Sequence, residues 1–164
     1  MIKIGLLSDT HCFVHPKIYD FFKDCDEIWH AGDFGNLDVA YEIASFKPLK
    51  GVFGNIDGFD VRKEYLQNLI FDCEKVKVFI THIGGYPYKY DPSAKEIIEK
   101  VRPKLFISGH SHILKVINDK KNNLLHINPG AAGKYGFHNV ITLVRFTIDL
   151  HTIKDLEIME LQKH

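Results

Sequence analysis

Asp9-Thr10-His11, Gly32-Asp33, Gly54-Asn55, His82 and Gly109-His110-Ser111-His112 place carboxylates, a carboxamide and imidazoles just after five apolar runs. Mixed nitrogen and oxygen donors of this kind suit Mn, Fe, Ni, Co or Zn better than Mg or Ca. Taken singly, each has an ordinary alternative. Asp9, Asp33 and Asn55 can form turns or cap helices, and an imidazole beside an apolar strand is often a structural hydrogen-bonding group. Their joint occurrence at five strand-to-loop junctions is harder to explain that way, because ligands of α/β sheets collect outside the carboxyl ends of strands. Within Ser108-Gly109-His110-Ser111-His112 a persisting pleat would aim both rings at one face. Gly109 instead lets the backbone bend and the rings diverge, and the spacing leaves both outcomes open.

The elements that must carry these residues are legible in the apolar pattern. Ile2–Leu7 reads as a buried strand, Pro16–Lys23 as a helix with Pro16 in its first turn, and Glu27–His30 as a strand. Leu37–Phe46 reads as a helix and Leu49–Phe53 as a strand ending at Gly54, and this βαβαβ order argues for a parallel sheet faced by helices. Tyr65–Phe71 and Val76–Thr81 read as neighbouring strands, followed by a loop rich in Gly, Pro and Tyr. Ser93 is the expected cap of a helix over Ala94–Val101, with Glu96 completing a capping box and Pro103 ending it. Leu105–Ser108 returns as a strand. Leu114–Ile117 with Leu124–Ile127, and Val140–Asp149 with Ile153–Glu160, read as antiparallel hairpins. The expected architecture is α/β: a two-sheet β-sandwich flanked by helices, in a single domain over residues 1–164 with no linker or repeat.

Composition narrows the function classes. A chain of 164 residues can bury a substantial core without metal or disulfide, so stability does not require its ten histidines. The 21 basic and 21 acidic side chains cancel, leaving no electrostatic footprint for a nucleic-acid polymer or an anionic membrane. Three cysteines, Cys12, Cys25 and Cys73, without a CxxC fit a reducing compartment. The opening apolar run is too short for a signal-peptide core, and no run approaches the roughly 20 residues of a membrane span. A cytoplasmic protein is expected.

The ordered set D-x-H, GD, GN, H, GHxH resembles the calcineurin-like metallophosphoesterases, and Asn128-Pro129-Gly130 together with the short length resembles their small single-domain phosphodiesterase branch, to which the retromer subunit of the same fold is related. The resemblance spans residues 2 to about 130 and implies an αββα fold holding two divalent transition metals. It implies that Asp9, His11 and His112 hold one ion, Asn55, His82 and His110 the other, and that Asp33 bridges them. The two imidazoles of GHSH would then serve different ions, sent apart by the freedom of Gly109. Two cations about 3.5–4 Å apart can generate a shared hydroxide near neutral pH and clamp a phosphoryl oxygen, so no protein nucleophile is needed. Asp33, Asn55 and His82 are accordingly the expected catalytic residues of a phosphodiesterase acting on a small phosphoester. A phosphomonoesterase or nucleotide pyrophosphohydrolase on the same site, and a protein-binding scaffold, are the alternatives. The complete ligand set weighs against the scaffold.

The chain also departs from the family pattern. Ile56 stands where many relatives carry a histidine able to protonate the leaving group. Asp57 is read as a turn or supporting residue rather than a general acid, because cations lower a neighbouring carboxyl pKa. Asn128 shapes a turn or orients a ligand, and Cys12 is read as a small buried filler in preference to a soft ligand. Tyr86, Tyr88, Tyr90 and Lys89 of one loop, and Lys134, Tyr135, Phe137 and His138 of another, are aromatics and bases expected near the metal mouth. They suit a nucleotide-like substrate or a homo-oligomer contact equally. His15 and His138 are expected near substrate, and His30, His126, His151 and His164 to be structural or exposed.

Overall fold

The structure, a computed structural model, describes residues 1–163; His164 lies outside the described residues. Two five-stranded sheets face each other. The first is built on β1 (Ile2–Leu7), β2 (Glu27–His30) and β3 (Leu49–Gly51), which run parallel, with β11 (Val140–Asp149) antiparallel to β1 and β12 (Thr152–Gln162) at the edge. The second orders β4 (Asn68–Cys73), β5 (Val76–Thr81), β8 (Leu105–Ile107), β10 (Leu124–Pro129) and β9 (Leu114–Asp119). Its central strands β5, β8 and β10 are parallel, and the flanking β4 and β9 are antiparallel.

Alternation along the strands decides what each face meets. Ile4, Leu6, Trp29 and Phe146 from the first sheet interlock with Val78, Ile80, Leu105, Ile107 and Ile127 from the second. The outer face of the first sheet is covered by α1 (Lys17–Phe21), α2 (Leu37–Phe46) and α3 (Phe59–Glu64), through Ile18, Phe22, Val39, Ile43 and Val61. The outer face of the second is covered by α4 (Pro92–Val101), through Ala94 and Ile98 on Phe79 and Phe106. This is the expected two-sheet α/β sandwich flanked by helices. Among the described residues no helix is long and apolar enough to cross a membrane.

Several local expectations fail for identifiable reasons. The cap of α4 is Asp91, whose carboxylate accepts from the N–H of Ser93 (3.0 Å) and Ala94 (3.4 Å); Pro92 occupies the first turn, where its missing N–H costs nothing. Ser93 therefore lies inside the helix. Strand β4 begins at Asn68 instead of Tyr65, because Tyr65 ends α3 and packs on Phe34. Helix α3 has no apolar period to announce it: Val61 is its one buried residue and Phe59 is exposed. Strand β3 stops at Gly51, with Val52 adding a lone parallel bridge to Leu66. The Gly/Pro/Tyr loop contains a small hairpin, β6 (Gly85–Tyr86) and β7 (Lys89–Tyr90).

Candidate metal centre

Strands β1, β2 and β3 of one sheet and β5 and β8 of the other all deliver their carboxyl ends to one edge of the sandwich. The loops after them are tied together by backbone bonds: Asp9 N–H to Gly32 carbonyl (2.9 Å), His11 N–H to Asp33 carbonyl (3.1 Å) and Gly109 N–H to His82 carbonyl (2.9 Å). Side-chain bonds cross between the sheets as well, among them that from the N–H of His110 to Asp9 Oδ2 (3.1 Å). Residues 101 positions apart are joined this way.

The seven expected ligand residues meet there in two groups. Asp9, His11 and His112 form one, with donor atoms within 4.8 Å of one another; Asp33, His82 and His110 form the other. Asn55 joins the second, its Oδ1 accepting from His110 Nδ1 (3.0 Å). Asp33 lies between the groups, with Oδ2 3.4 Å from His11 Nε2 and 3.1 Å from His82 Nε2. The rings of GHSH thus point to different groups. Gly109 does not achieve this by unusual backbone freedom: it is His110 (φ 72°) and His112 (φ 62°) that adopt the left-handed region. Gly109 is needed for space, since a Cβ there would lie 2.2 Å from Ser8 Oγ of the opposite sheet.

Backbone strain concentrates here. Asp9, His11, Asp33, His110 and His112 all have positive φ. Each such residue costs on the order of 1 kcal/mol, persists where surrounding structure over-determines it, and is typical of functional sites.

The donors are also short of partners. Asp9 is wholly buried; its Oδ2 accepts from Ser8 Oγ (2.7 Å) and His110 N–H, while Oδ1 faces His112 Nε2 at 3.2 Å and makes no hydrogen bond among the described residues. His11 Nε2 and His82 Nε2 are buried and unpartnered too. Leaving such atoms unpaired costs roughly 1–3 kcal/mol each, so a cluster of converging orphans fits a cation that would satisfy them together. His82 Nδ1–H donates to the Ala31 carbonyl (2.7 Å), which leaves Nε2 as a lone pair aimed at the cluster. Burial alone would raise the Asp9 carboxyl; the imidazoles of His11, His112 and His82 and the Ser8 hydroxyl outweigh it and hold it well below the usual carboxylate range. Burial pulls His82 down, but Asp33 and Asp9 pull it up further, so its net shift is upward. The His110 imidazole is lowered by burial and by the charge of His82.

The supporting residues take their places around these two groups. Asp57 is buried, and its carboxylate accepts four backbone N–H groups: Asp33 (3.0 Å), Phe34 (3.2 Å) and Gly54 (2.8 Å) on Oδ2, and Gly35 (2.9 Å) on Oδ1. It clamps the loops carrying Asp33 and Asn55, which occupies both of its oxygens and removes it as a proton donor. Asn128 Nδ2 donates to the Gly109 carbonyl and to Ser111 Oγ (3.0 Å each), and its Oδ1 accepts from Gly130 N–H (3.0 Å). It shapes its own turn and anchors the GHSH loop. Cys12 is exposed, not a buried filler, because its left-handed backbone (φ 68°) turns it outward beside Gly35. His15 spends Nδ1 on the N–H of Lys17 (3.0 Å), whereas His138 sets its ring edge-on to His112 at 5.1 Å.

The two aromatic loops separate. Tyr135 lies on the His11 ring, centroids 5.1 Å apart. Tyr90 turns inward to Phe106 and donates to Asp119 (2.6 Å), and Tyr86 is covered by Lys115.

Ser8 had no sequence signature, whereas His30 is structural, one of the two roles expected of it. Ser8 orients Asp9, and buried His30, stacked on Phe34, holds Thr10 Oγ1 (3.0 Å) between Asp9 and His11. The Gly32 N–H donates to His30 Nδ1 (3.1 Å), so Nε2–H donates to Thr10, whose hydroxyl donates to the Phe34 carbonyl (3.0 Å). Burial pushes the His30 imidazole down to about 3, keeping it neutral in this chain of bonds.

Comparison with known proteins places this geometry. The chain is 28% identical over 138 residues to a probable metallophosphoesterase of Methanothermobacter thermautotrophicus, covering 78% of this chain and 76% of that protein. It is 30% identical over 136 residues to a probable metallophosphoesterase of Methanocaldococcus jannaschii, covering 78% and 67%. Among solved structures, an archaeal phosphodiesterase superposes with a TM-score of 0.76 at 25% identity, over 98% of this chain and all of that one. Vps29 of Entamoeba histolytica complexed with Zn2+ superposes with a TM-score of 0.73 at 15% identity, over 99% of this chain and all of that one. The family model of the calcineurin-like phosphoesterase superfamily domain matches residues 2–151. Taken with the converging junction residues, these matches make the chain a member of the calcineurin-like phosphoesterase superfamily, in its small-domain branch.

Proposed function

We propose that the chain is a phosphodiesterase that holds two divalent transition-metal cations and hydrolyses a small phosphoester. The observation that carries this reading is the convergence of two donor groups on unpartnered, buried Asp9 Oδ1, His11 Nε2 and His82 Nε2, with Asp33 between them. Asp9, His11 and His112 would hold one ion, Asn55, His82 and His110 the other, and Asp33 would touch both. When bound, such cations supply Lewis acidity, lowering the pKa of water toward neutrality and drawing charge from phosphoryl oxygens.

The protein's own residues do the positioning. Ala31 fixes the tautomer of His82, Ser8 and the N–H of His110 hold one oxygen of Asp9, and Ile56 N–H holds Asp33 Oδ1 (3.1 Å). Oδ2 of Asp33 and Oδ1 of Asp9 are left facing the cluster. Leaving-group protonation is the weak point: Ile56 is partly exposed and has no proton to give, and Asp57 is consumed by backbone amides. Esters with good leaving groups, such as aryl phosphodiesters, are therefore the preferred substrates over those needing acid assistance. The donor set admits Mn, Ni, Fe, Co or Zn.

The test is to strip the protein with chelator, add manganese, and measure bound metal, melting temperature and cleavage of bis(p-nitrophenyl) phosphate. Binding at 100 times Kd at one site stabilises by about 2.7 kcal/mol, so the melting temperature should rise by several degrees. Asp33→Asn and His110→Ala should lose both the rise and at least about 100-fold in activity. Protein that binds manganese but cleaves no mono-, di- or cyclic phosphate refutes the activity. Protein that binds none refutes the site.

A further inference from the structure

Beside the ligand cluster lies a cleft of about 450 Å³, with His110 to Ile113 on one wall and Tyr135 to His138 on the other. Its volume falls in the range of small-molecule sites. The wall facing His112 is aromatic. Tyr135 leans on the His11 ring at 35°, the His138 ring stands edge-on to His112, and among the described residues nothing covers the Phe137 ring. Ile113 is exposed on the other side.

The aromatic wall is held in place. Gly133 N–H donates to the Asp9 carbonyl (3.0 Å), His138 Nε2 to the Gly133 carbonyl (2.7 Å), and Lys163 Nζ to the carbonyls of Gly136 (2.6 Å) and His138 (3.0 Å). Gly136 has φ +128°, and a Cβ there would come within 2.3 Å of His112 Nδ1, so the segment is pressed directly against a ligand imidazole. An uncovered ring on a pinned backbone beside a metal ligand is surface awaiting a flat partner. The opposite flank differs: a cleft of about 320 Å³ beside Asn55 and His82 is lined by Arg62, Gln67, Asn68 and Asp91, and its ring, Phe53, is already covered by the Arg62 guanidinium at 4.6 Å.

Resting on the phosphodiesterase reading above, we propose that the Tyr135–Phe137 cleft binds a planar ring, aryl or nucleobase, carried by the phosphoester whose phosphoryl group sits at the ligand cluster. Among the described residues no carboxylate, lysine or arginine lines this cleft, so a neutral ring matches it better than a second phosphate does.

The test is calorimetry on manganese-loaded protein with phenylphosphonate and methylphosphonate, in a buffer alkaline enough that both are dianions, so that they differ in the ring and not in charge. Thymidine 5′-phosphate against ribose 5-phosphate repeats the contrast for a nucleobase. The ring should tighten binding about tenfold in at least one pair, as expected for one base or aryl stack, and Phe137→Ala should abolish that gain. Phe137 is fully exposed, so its replacement leaves the fold intact. No ring gain in either pair, or a gain that survives Phe137→Ala, overturns the cleft. Sedimentation as a dimer that Phe137→Ala dissociates also overturns it. Failure of all four compounds to bind to protein that contains manganese instead overturns the underlying reading of the site.

Discussion

Replacing Asp57 by asparagine changes one oxygen to a nitrogen and little else in volume, yet it strikes the anion on which four backbone amides converge. The best orientation keeps the asparagine oxygen at the Oδ2 position, where Asp33, Phe34 and Gly54 donate. The new NH2 then faces the N–H of Gly35, donor against donor. That unpaired group costs about 1–3 kcal/mol, and the other three bonds lose their charge assistance, so the total is roughly 3–5 kcal/mol. For a chain of this size each kcal/mol is worth about 2–4 °C, which predicts a fall in melting temperature of roughly 6–20 °C. Asp57→Ala leaves all four donors unpaired, and a loss of roughly 4–12 kcal/mol can exceed the whole stability of a domain. Urea melts in chelator isolate this effect from metal binding: the midpoint should fall while the slope stays constant. An asparagine variant within about 1 kcal/mol of the parent refutes the clamp. So does a variant of unchanged stability that loses activity selectively on poor leaving groups, the signature of a general acid.

Two further outcomes follow from other buried polar groups. Asn128→Leu removes the donors to Gly109 and Ser111 and orphans Gly130 N–H, so manganese affinity should drop about 10–100-fold by titration, with a loss of about 1–3 kcal/mol in stability. His126 is buried between Phe106 and Tyr90, its Nδ1 donating to the Phe106 carbonyl (3.2 Å), and burial pushes its imidazole down to about 4. Its folded pKa lies below the unfolded value of 6.5, so the unfolded chain takes up the proton first as pH falls. The stability it contributes is complete above pH 6.5 and is lost progressively between there and about pH 4, by about 3 kcal/mol at most. His126→Gln keeps a donor for Phe106 and cannot titrate, so melts across that window should show a smaller acid loss than the parent; an unchanged slope refutes the assignment.

The one-dimensional pattern carried the strands and most helices, because burial on a strand or helix face leaves a period in the residues themselves. Ile2–Leu7, Glu27–His30, Leu37–Phe46 and Val76–Thr81 have the bounds their apolar spacing implies. It also carried the seven donor residues, because aspartate, asparagine and histidine announce their chemistry by type wherever the fold takes them. What it lacked was anything that depends on a partner without a side-chain signature. Asp57 binds backbone amides from two loops, the cap of α4 passed from Ser93 to Asp91 through main-chain geometry, and α3 buries too little to show a period. Gly109 was legible as a special position, but the reason lay in Ser8 of the facing sheet, a distance no spacing along the chain encodes. The two sets of donors were already implied by the family resemblance, whereas the orphaned state of Asp9 Oδ1 and the uncovered Phe137 beside His112 arise only when two sheets pack and bring their strand ends to one edge. Residue type is local information, whereas which polar atom is left without a partner is a property of the packed whole.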